Sequence, residues 1–293
     1  MGILIHVAYG KAGSTFLQHW FRQNPELFVG NGWDLCNSTY KNLENNLTLK
    51  HFVISSEGLG SWLPHEVVGC EFDLAFDIKT FQLYICNVLK NMFNKSKILI
   101  VTRNYEDIIR SCFSQFVKEG GDLGWKEYKK KYFHLLLELW DFNYLIDLYS
   151  NAFGAENVII MPYELLRNDS ENFFSYLDEK LGLNSFRIPN KKLNPSLSKE
   201  ELYCYPIISK FVALLCDILP FYRYTRLYQK HISFISKGQY KLLVKFMKLF
   251  TYQKRDMELD CPQDYLSTFK QNGTILNNYK FYERFKDKYF LVD

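Results

Sequence analysis

Six consecutive residues, Gly10-Lys11-Ala12-Gly13-Ser14-Thr15, place two glycines, a cation and two hydroxyls directly after the apolar run Ile3-Leu4-Ile5-His6-Val7. The glycines permit a tight turn. A helix opening beside Ser14 and Thr15 would aim successive backbone N–H groups, and the positive end of its dipole, at one point. Lys11 lies inside the turn, where its ammonium reaches the same point, and the hydroxyls add donors that a carboxylate could not supply. The chemistry that suits this set is the holding of a phosphate or a sulfate.

A second group has the same layout. Arg103 closes the apolar run Lys97-Ile98-Leu99-Ile100-Val101-Thr102, and Ser111 follows eight positions later on the helix that Asn104-Tyr105-Glu106-Asp107 opens. A guanidinium is a permanently charged planar fork suited to a terminal phosphate, and a serine about two helical turns on can donate to the same group. A carboxylate, Glu57, stands just past the strand-like run His51-Phe52-Val53-Ile54-Ser55-Ser56, where partial desolvation would let it accept a proton. His51 and His65 are the other nearby candidates for a base, whereas His6 and His19 read as packed near the loop. A phosphotransferase P-loop requires GxxxxGK[ST], but Lys11 precedes the second glycine, and no buried strand ends in the Asp that would hold magnesium. The pattern therefore fits a nucleotide bound without a metal.

The elements that must position these residues follow from periodicity. Apolar runs predict strands at 3–7, 51–56, 97–102 and 157–161, the last ending in Pro162-Tyr163-Glu164-Leu165. Apolar spacing of threes and fours predicts helices over 15–22, 80–93 and 105–116, one long helix over 125–150, and another from Ser170 to Leu181 that Gly182 stops. Residues 33–46 read as a polar connection. Strands alternating with helices imply an α/β fold, a P-loop-like parallel sheet flanked by helices, with ligands at the carboxyl ends of its strands.

From Lys199 onward the pattern is helical without strands. The expectation is a single domain over 1–293 with a basic, mostly helical addition at 199–255 near its C-terminus. Between Ile218 and Arg255 there are nine Lys and Arg and no Asp or Glu. Lys241, Lys245 and Lys248 share a helix face, which reads as a solvated surface or as a dock, through 222–255, for an anionic glycan or a membrane surface. Residues 265–290 read as a closing helix and an aromatic end segment.

With 293 residues, 47% of them hydrophobic, the chain can bury a sizeable core, and a formal charge of +4 gives no bulk argument for a nucleic-acid partner. Seven cysteines without a CxxC pair suit neither a disulfide framework nor a zinc site, so reduced thiols are expected. The first strand starts too early for a cleaved signal, and the longest apolar stretch, 211–221, is interrupted by Asp217 and Pro220 and too short to span a bilayer. A soluble, cytoplasmic protein is expected, with contact at the inner membrane surface left open.

The run from Tyr9 to Leu17 resembles the 5′-phosphosulfate loop of sulfotransferases that use 3′-phosphoadenosine 5′-phosphosulfate (PAPS): a Lys, any residue, Gly, two hydroxyl residues and an aromatic. Arg103 and Ser111 match that family's 3′-phosphate motif in type and spacing, and Tyr163-Glu164-Leu165 is similar to its Tyr-Glu-Asp-Leu stretch without the Asp. The resemblance covers roughly residues 1–196. It implies a donor site of Gly10, Lys11, Ala12, Gly13, Ser14, Thr15, Phe16, Arg103, Ser111 and Tyr163, with Phe16 offering an aromatic surface to the adenine. The product would be 3′-phosphoadenosine 5′-phosphate, with no metal involved. Lys11 would move toward the bridging oxygen as the bond breaks, and Glu57 would be the base, as in carbohydrate-type relatives. Ser-Glu in place of a His motif, with Asn194-Pro195-Ser196 after Lys191-Lys192, leans the acceptor toward a sugar hydroxyl of a surface glycan or glycolipid. The Arg-Lys-Gly segment of aryl and steroid relatives has only Lys254-Arg255 as a weak substitute. The rival readings are a P-loop nucleotide kinase or other phosphotransferase and a non-catalytic nucleotide-binding module.

Overall fold

A computed structural model describes residues 2–30, 49–60, 77–184, 197–218, 221–251 and 265–291, with backbone alone at 57, 221–225 and 248–251. Two compact units result, one of residues 1–108, 135–193 and 262–293, the other of 109–134 and 194–261. The expected helical addition at 199–255 falls in the second, which also takes 109–134.

In the first unit five strands, β1 (Gly2–Ala8), β2 (Leu27–Val29), β3 (His51–Ser56), β4 (Lys97–Thr102) and β5 (Val158–Pro162), form one sheet in the order β2-β3-β1-β4-β5. Every pairing is parallel. The four long strands are built around apolar runs because they are covered on both faces. Leu4, Ile5 and Val7 of β1 and Ile98 to Val101 of β4 are fully buried. The chain passes from β1 to the edge strand β2, returns to β3 beside β1, and then crosses to the other side for β4 and β5. That reversal makes the carboxyl end of β1, flanked by the ends of β3 and β4, the topological switch point of the sheet.

The helices α1 (Ser14–Gln23), α2 (Ile78–Met92), α3 (Tyr105–Lys118), α4 (Trp125–Leu139) and α5 (Phe142–Phe153) lie between these strands in the chain, and α6 (Tyr163–Asn168) and α7 (Ser170–Leu181) follow β5. Where one long helix was expected over 125–150 there are two. The Asp141 side chain accepts from Tyr144 N at 3.0 Å and starts a new helix, an N-cap hidden from periodicity because apolar residues stand on both sides of it. The three-residue β2 was not expected, being too short for any period to register. Gly182 ends α7 in the left-handed region, at φ 64°, as its position implied.

Residues 265–291 are more than an end segment. Helix α11 (Leu266–Asn272), 3-10 turns at Thr274–Asn278 and Lys280–Phe285, and helix α12 (Lys286–Tyr289) lay Phe269, Leu276, Tyr282 and Tyr289 into the core. The Phe269 ring packs 4.2 Å from that of Tyr105.

The second unit is built on α8 (Lys199–Asp217), α9 (Phe221–Ser236) and α10 (Lys241–Thr251). Ser198 and Glu201 form a reciprocal capping box at the start of α8. Inside, His231 bridges Ser209 Oγ (2.9 Å from Nε2) and Tyr240 OH (3.0 Å from Nδ1), tying α8, α9 and the turn before α10. Among the described residues no helix is long and apolar enough to cross a membrane.

Candidate functional site

The Gly10–Thr15 loop leaves β1 at the switch point. Within it Ala12 N donates to Tyr9 O (3.2 Å), and Ser14 Oγ donates to the same carbonyl (3.1 Å), so the buried serine hydroxyl braces the turn. Gly13 stands at φ 87° against the Tyr163 ring: a Cβ there would lie 2.8 Å from Cδ2, so both conformation and space demand glycine. Lys11 also adopts a left-handed conformation, at φ 70°. A non-glycine residue in this region is uncommon and carries strain.

Helix α1 begins at Ser14 with no side-chain cap and no acid in its first turn. In contrast Asp77, Asp141, Asp169 and Ser198 each cap their helices through the side chain. A helix N-terminus without a side-chain cap leaves backbone N–H groups that an anion can engage. Thr15 is exposed there, and Phe16 is half-buried, 6.2 Å from the Phe174 ring.

Arg103, directly after β4, meets this loop from the neighbouring strand. Its Nη1 donates to Lys11 O at 2.7 Å, and its guanidinium lies 4.8 Å above the Tyr163 ring. Its Nε is buried with no hydrogen-bond partner. The structure therefore brings Lys11, Gly13, Arg103 and Tyr163 together, from β1, β4 and β5. Ser111 is half-buried two turns into α3, in the part of that helix belonging to the second unit.

The backbone turn Glu57–Leu59 packs against β1. Gly60 approaches so closely that a Cβ would sit 2.6 Å from Ala8 O, and Gln82 Nε2 holds its carbonyl at 3.1 Å. The turn carrying Glu57 is thus fixed beside the loop. His6 secures the strand before it, with Nδ1 2.8 Å from Ser55 Oγ and its ring edge-on to Phe21. His51 lies at the opposite end of β3, with Nε2 2.7 Å from Leu181 O, so it is no base for this site. His65, the 33–46 connection, Lys191 to Ser196, and Lys254-Arg255 lie outside the described residues.

Burial lowers the His6 pKa to about 3. The unfolded chain takes up this proton near pH 6.5 and the folded chain only near 3, so the contribution is complete above pH 6.5 and is lost as pH falls toward 3. Full loss is on the order of 5 kcal/mol. Unfolding midpoints in urea between pH 7 and 4 should therefore fall less steeply in His6→Gln than in the parent; equal slopes would remove His6 as the sensor.

One part of the site was not anticipated. Behind Arg103, Glu164 Oε1 accepts from Asn104 N (3.1 Å) and Asn104 Nδ2 (2.6 Å), while Oε2 accepts from Tyr289 OH (2.6 Å). Thr102 Oγ1 lies 2.6 Å from Tyr282 OH and donates to Tyr289 OH at 3.1 Å. All five residues are buried, and burial holds both phenols well above the usual tyrosine range, so they remain neutral donors. An acid inside the otherwise apolar Pro162-Tyr163-Glu164-Leu165-Leu166 was the available signal for this network.

No protein-family model and no curated protein matches the sequence. Among solved structures, the chain is similar to a sulfotransferase from Alicyclobacillus acidocaldarius, with 16% identity and a TM-score of 0.48, covering 73% of this chain and 95% of that one. It is also similar to the mouse sulfotransferase SULT7A1 complexed with PAP, with 16% identity and a TM-score of 0.34, covering 64% of this chain and 60% of that one.

Proposed function

We propose that the chain is a PAPS-dependent sulfotransferase acting on a hydroxyl, with a sugar of a surface glycan or glycolipid as acceptor. The observation that carries this reading is the 2.7 Å hydrogen bond from Arg103 to the Lys11 carbonyl, which joins two cationic motifs from adjacent strands at the switch point of the sheet. A donor with phosphate at both its 3′ and 5′ positions needs two anion holders side by side. The uncapped α1 terminus and the partnerless Arg103 Nε fit such a group.

In this reading the α1 N–H groups and Thr15 hold the 5′-phosphate, Arg103 takes the 3′-phosphate, and Phe16 and Tyr163 line the nucleoside. PAPS supplies a sulfuryl group that passes in line to the acceptor oxygen. Lys11 stabilises charge on the departing phosphate oxygen, and Glu57 takes the acceptor proton. Lys11 ahead of the second glycine favours this donor over a magnesium nucleotide.

A thermal-shift panel tests it. Stabilisation by 3′-phosphoadenosine 5′-phosphate in excess EDTA is expected, about 2.7 kcal/mol at a hundredfold excess over Kd. Stabilisation by ATP and magnesium alone would overturn it in favour of a phosphotransferase. Labelled PAPS screened against sugar and phenol acceptors should show transfer to sugars; binding without turnover on any acceptor would leave a nucleotide-binding module. Glu57→Gln should bind the bisphosphate normally and lose transfer by about 10²- to 10⁴-fold; near-parental rates would remove Glu57 as base.

A further inference from the structure

Helix α8 buries Tyr205, Ile208, Ser209, Val212 and Cys216 on one side. On the other it leaves Ile207 (43% exposed), Phe211 (61%), Leu214 (61%), Leu215 (41%) and Ile218 (78%) outside. Their spacing of fours and threes draws a single stripe about 16 Å long at the helical rise. Helix α10, which packs against α8, repeats the arrangement: Val244 is buried while Leu242 (79%), Leu243 (42%) and Phe246 (60%) face out. Single exposed leucines are ordinary, but two neighbouring helices that each hold a row of large apolar side chains in water are not.

The charge beside these rows identifies what would cover them. Lys241 and Lys245 are exposed on α10 itself, and Arg226, Lys230 and Lys237 are exposed on α9 and the turn after it. Residues 218–255 carry nine Lys and Arg and no acid. A second copy of the chain would bring the same cations against each other, and an apolar protein partner would leave them uncompensated. An anionic lipid surface satisfies both features, since acyl chains receive the apolar rows and headgroups receive the lysines.

We propose that α8 and α10 form a docking face for an anionic membrane, which seats the protein peripherally at a lipid surface and concentrates it where lipid-borne acceptors are. This surface lies wholly in the second unit and stands or falls apart from the nucleotide site.

Cosedimentation of the full chain with vesicles tests it. Vesicles of phosphatidylcholine mixed with phosphatidylglycerol should bind the protein and release it as salt rises, while phosphatidylcholine alone should not bind it. Lys241→Gln with Lys245→Gln should weaken binding roughly thirtyfold, at about a kcal/mol for each lysine. Phe211→Asp with Leu214→Asp should abolish it, and since these positions are exposed, unchanged melting and an unchanged bisphosphate-induced shift would show that each variant is folded. Failure to bind anionic vesicles, equal binding to neutral ones, or a dimer in solution that Phe211→Asp dissociates would each overturn the proposal.

Discussion

Replacing Lys11 by glycine is expected to make the protein more stable and nearly inactive. A non-glycine residue at φ 70° costs about 1–2 kcal/mol, and glycine removes that strain while adding about 0.5–1 kcal/mol of unfolded-state entropy. The net gain is up to about 1 kcal/mol, read as a higher urea midpoint. Turnover should fall about 10²- to 10³-fold, the usual cost of losing one preorganised stabiliser of developing charge. The hydrogen bond from Arg103 is made to the carbonyl of residue 11, so it survives the substitution, and bisphosphate affinity should fall much less than rate. Lys11→Ala separates the two effects, since alanine keeps the strain and loses the amine; it should be as inactive without being more stable. A glycine variant with near-parental rates would take Lys11 out of the chemistry, and one with a lower midpoint would show that residue 11 carries no strain.

Glu164→Ala should be the most destabilising single change at the site, costing about 3–4 kcal/mol. The backbone N–H of Asn104, its side-chain amide and the Tyr289 hydroxyl all lose a buried acceptor, at about 1–3 kcal/mol for each group left unsatisfied. The peptide that Glu164 holds joins Arg103 to Asn104, so its release also frees the guanidinium. Bisphosphate affinity measured well below the unfolding midpoint should drop at least about tenfold in the folded protein. Glu164→Gln, which retains one oxygen, should be intermediate in both readouts. A loss of stability with unchanged affinity would reduce Glu164 to a core residue with no part in positioning Arg103.

What could be read from the chain was what its local order encodes. Strands β1, β3, β4 and β5 were legible because a parallel strand covered on both faces is built around an apolar run, and Gly182 marked the end of α7 because only a left-handed cap suits it. The loop and Arg103 were legible as types at strand ends. Their joining was not, because the acceptor is the Lys11 carbonyl, and a carbonyl has no letter in a sequence. The same holds for Glu164, whose partners lie in α12 and just after β4. Asp141 was overlooked for a different reason: a capping residue between Trp140 and Phe142 does not interrupt the apolar rhythm that announces a helix.

The lining supplied by residues 265–291 bears on how the protein is made. Thr102 and Glu164 receive Tyr282 and Tyr289 only after every residue between them has left the ribosome, so the sheet can pair early while the strut behind Arg103 cannot form until Tyr289 has emerged. During that interval the nascent chain carries a buried acid without all its donors and the core faces that Phe269 and Leu276 will cover. A messenger truncated ahead of Phe269 would therefore yield a chain with every anion-holding motif encoded and the support for one of them missing, a species fit for chaperones and proteases rather than for catalysis.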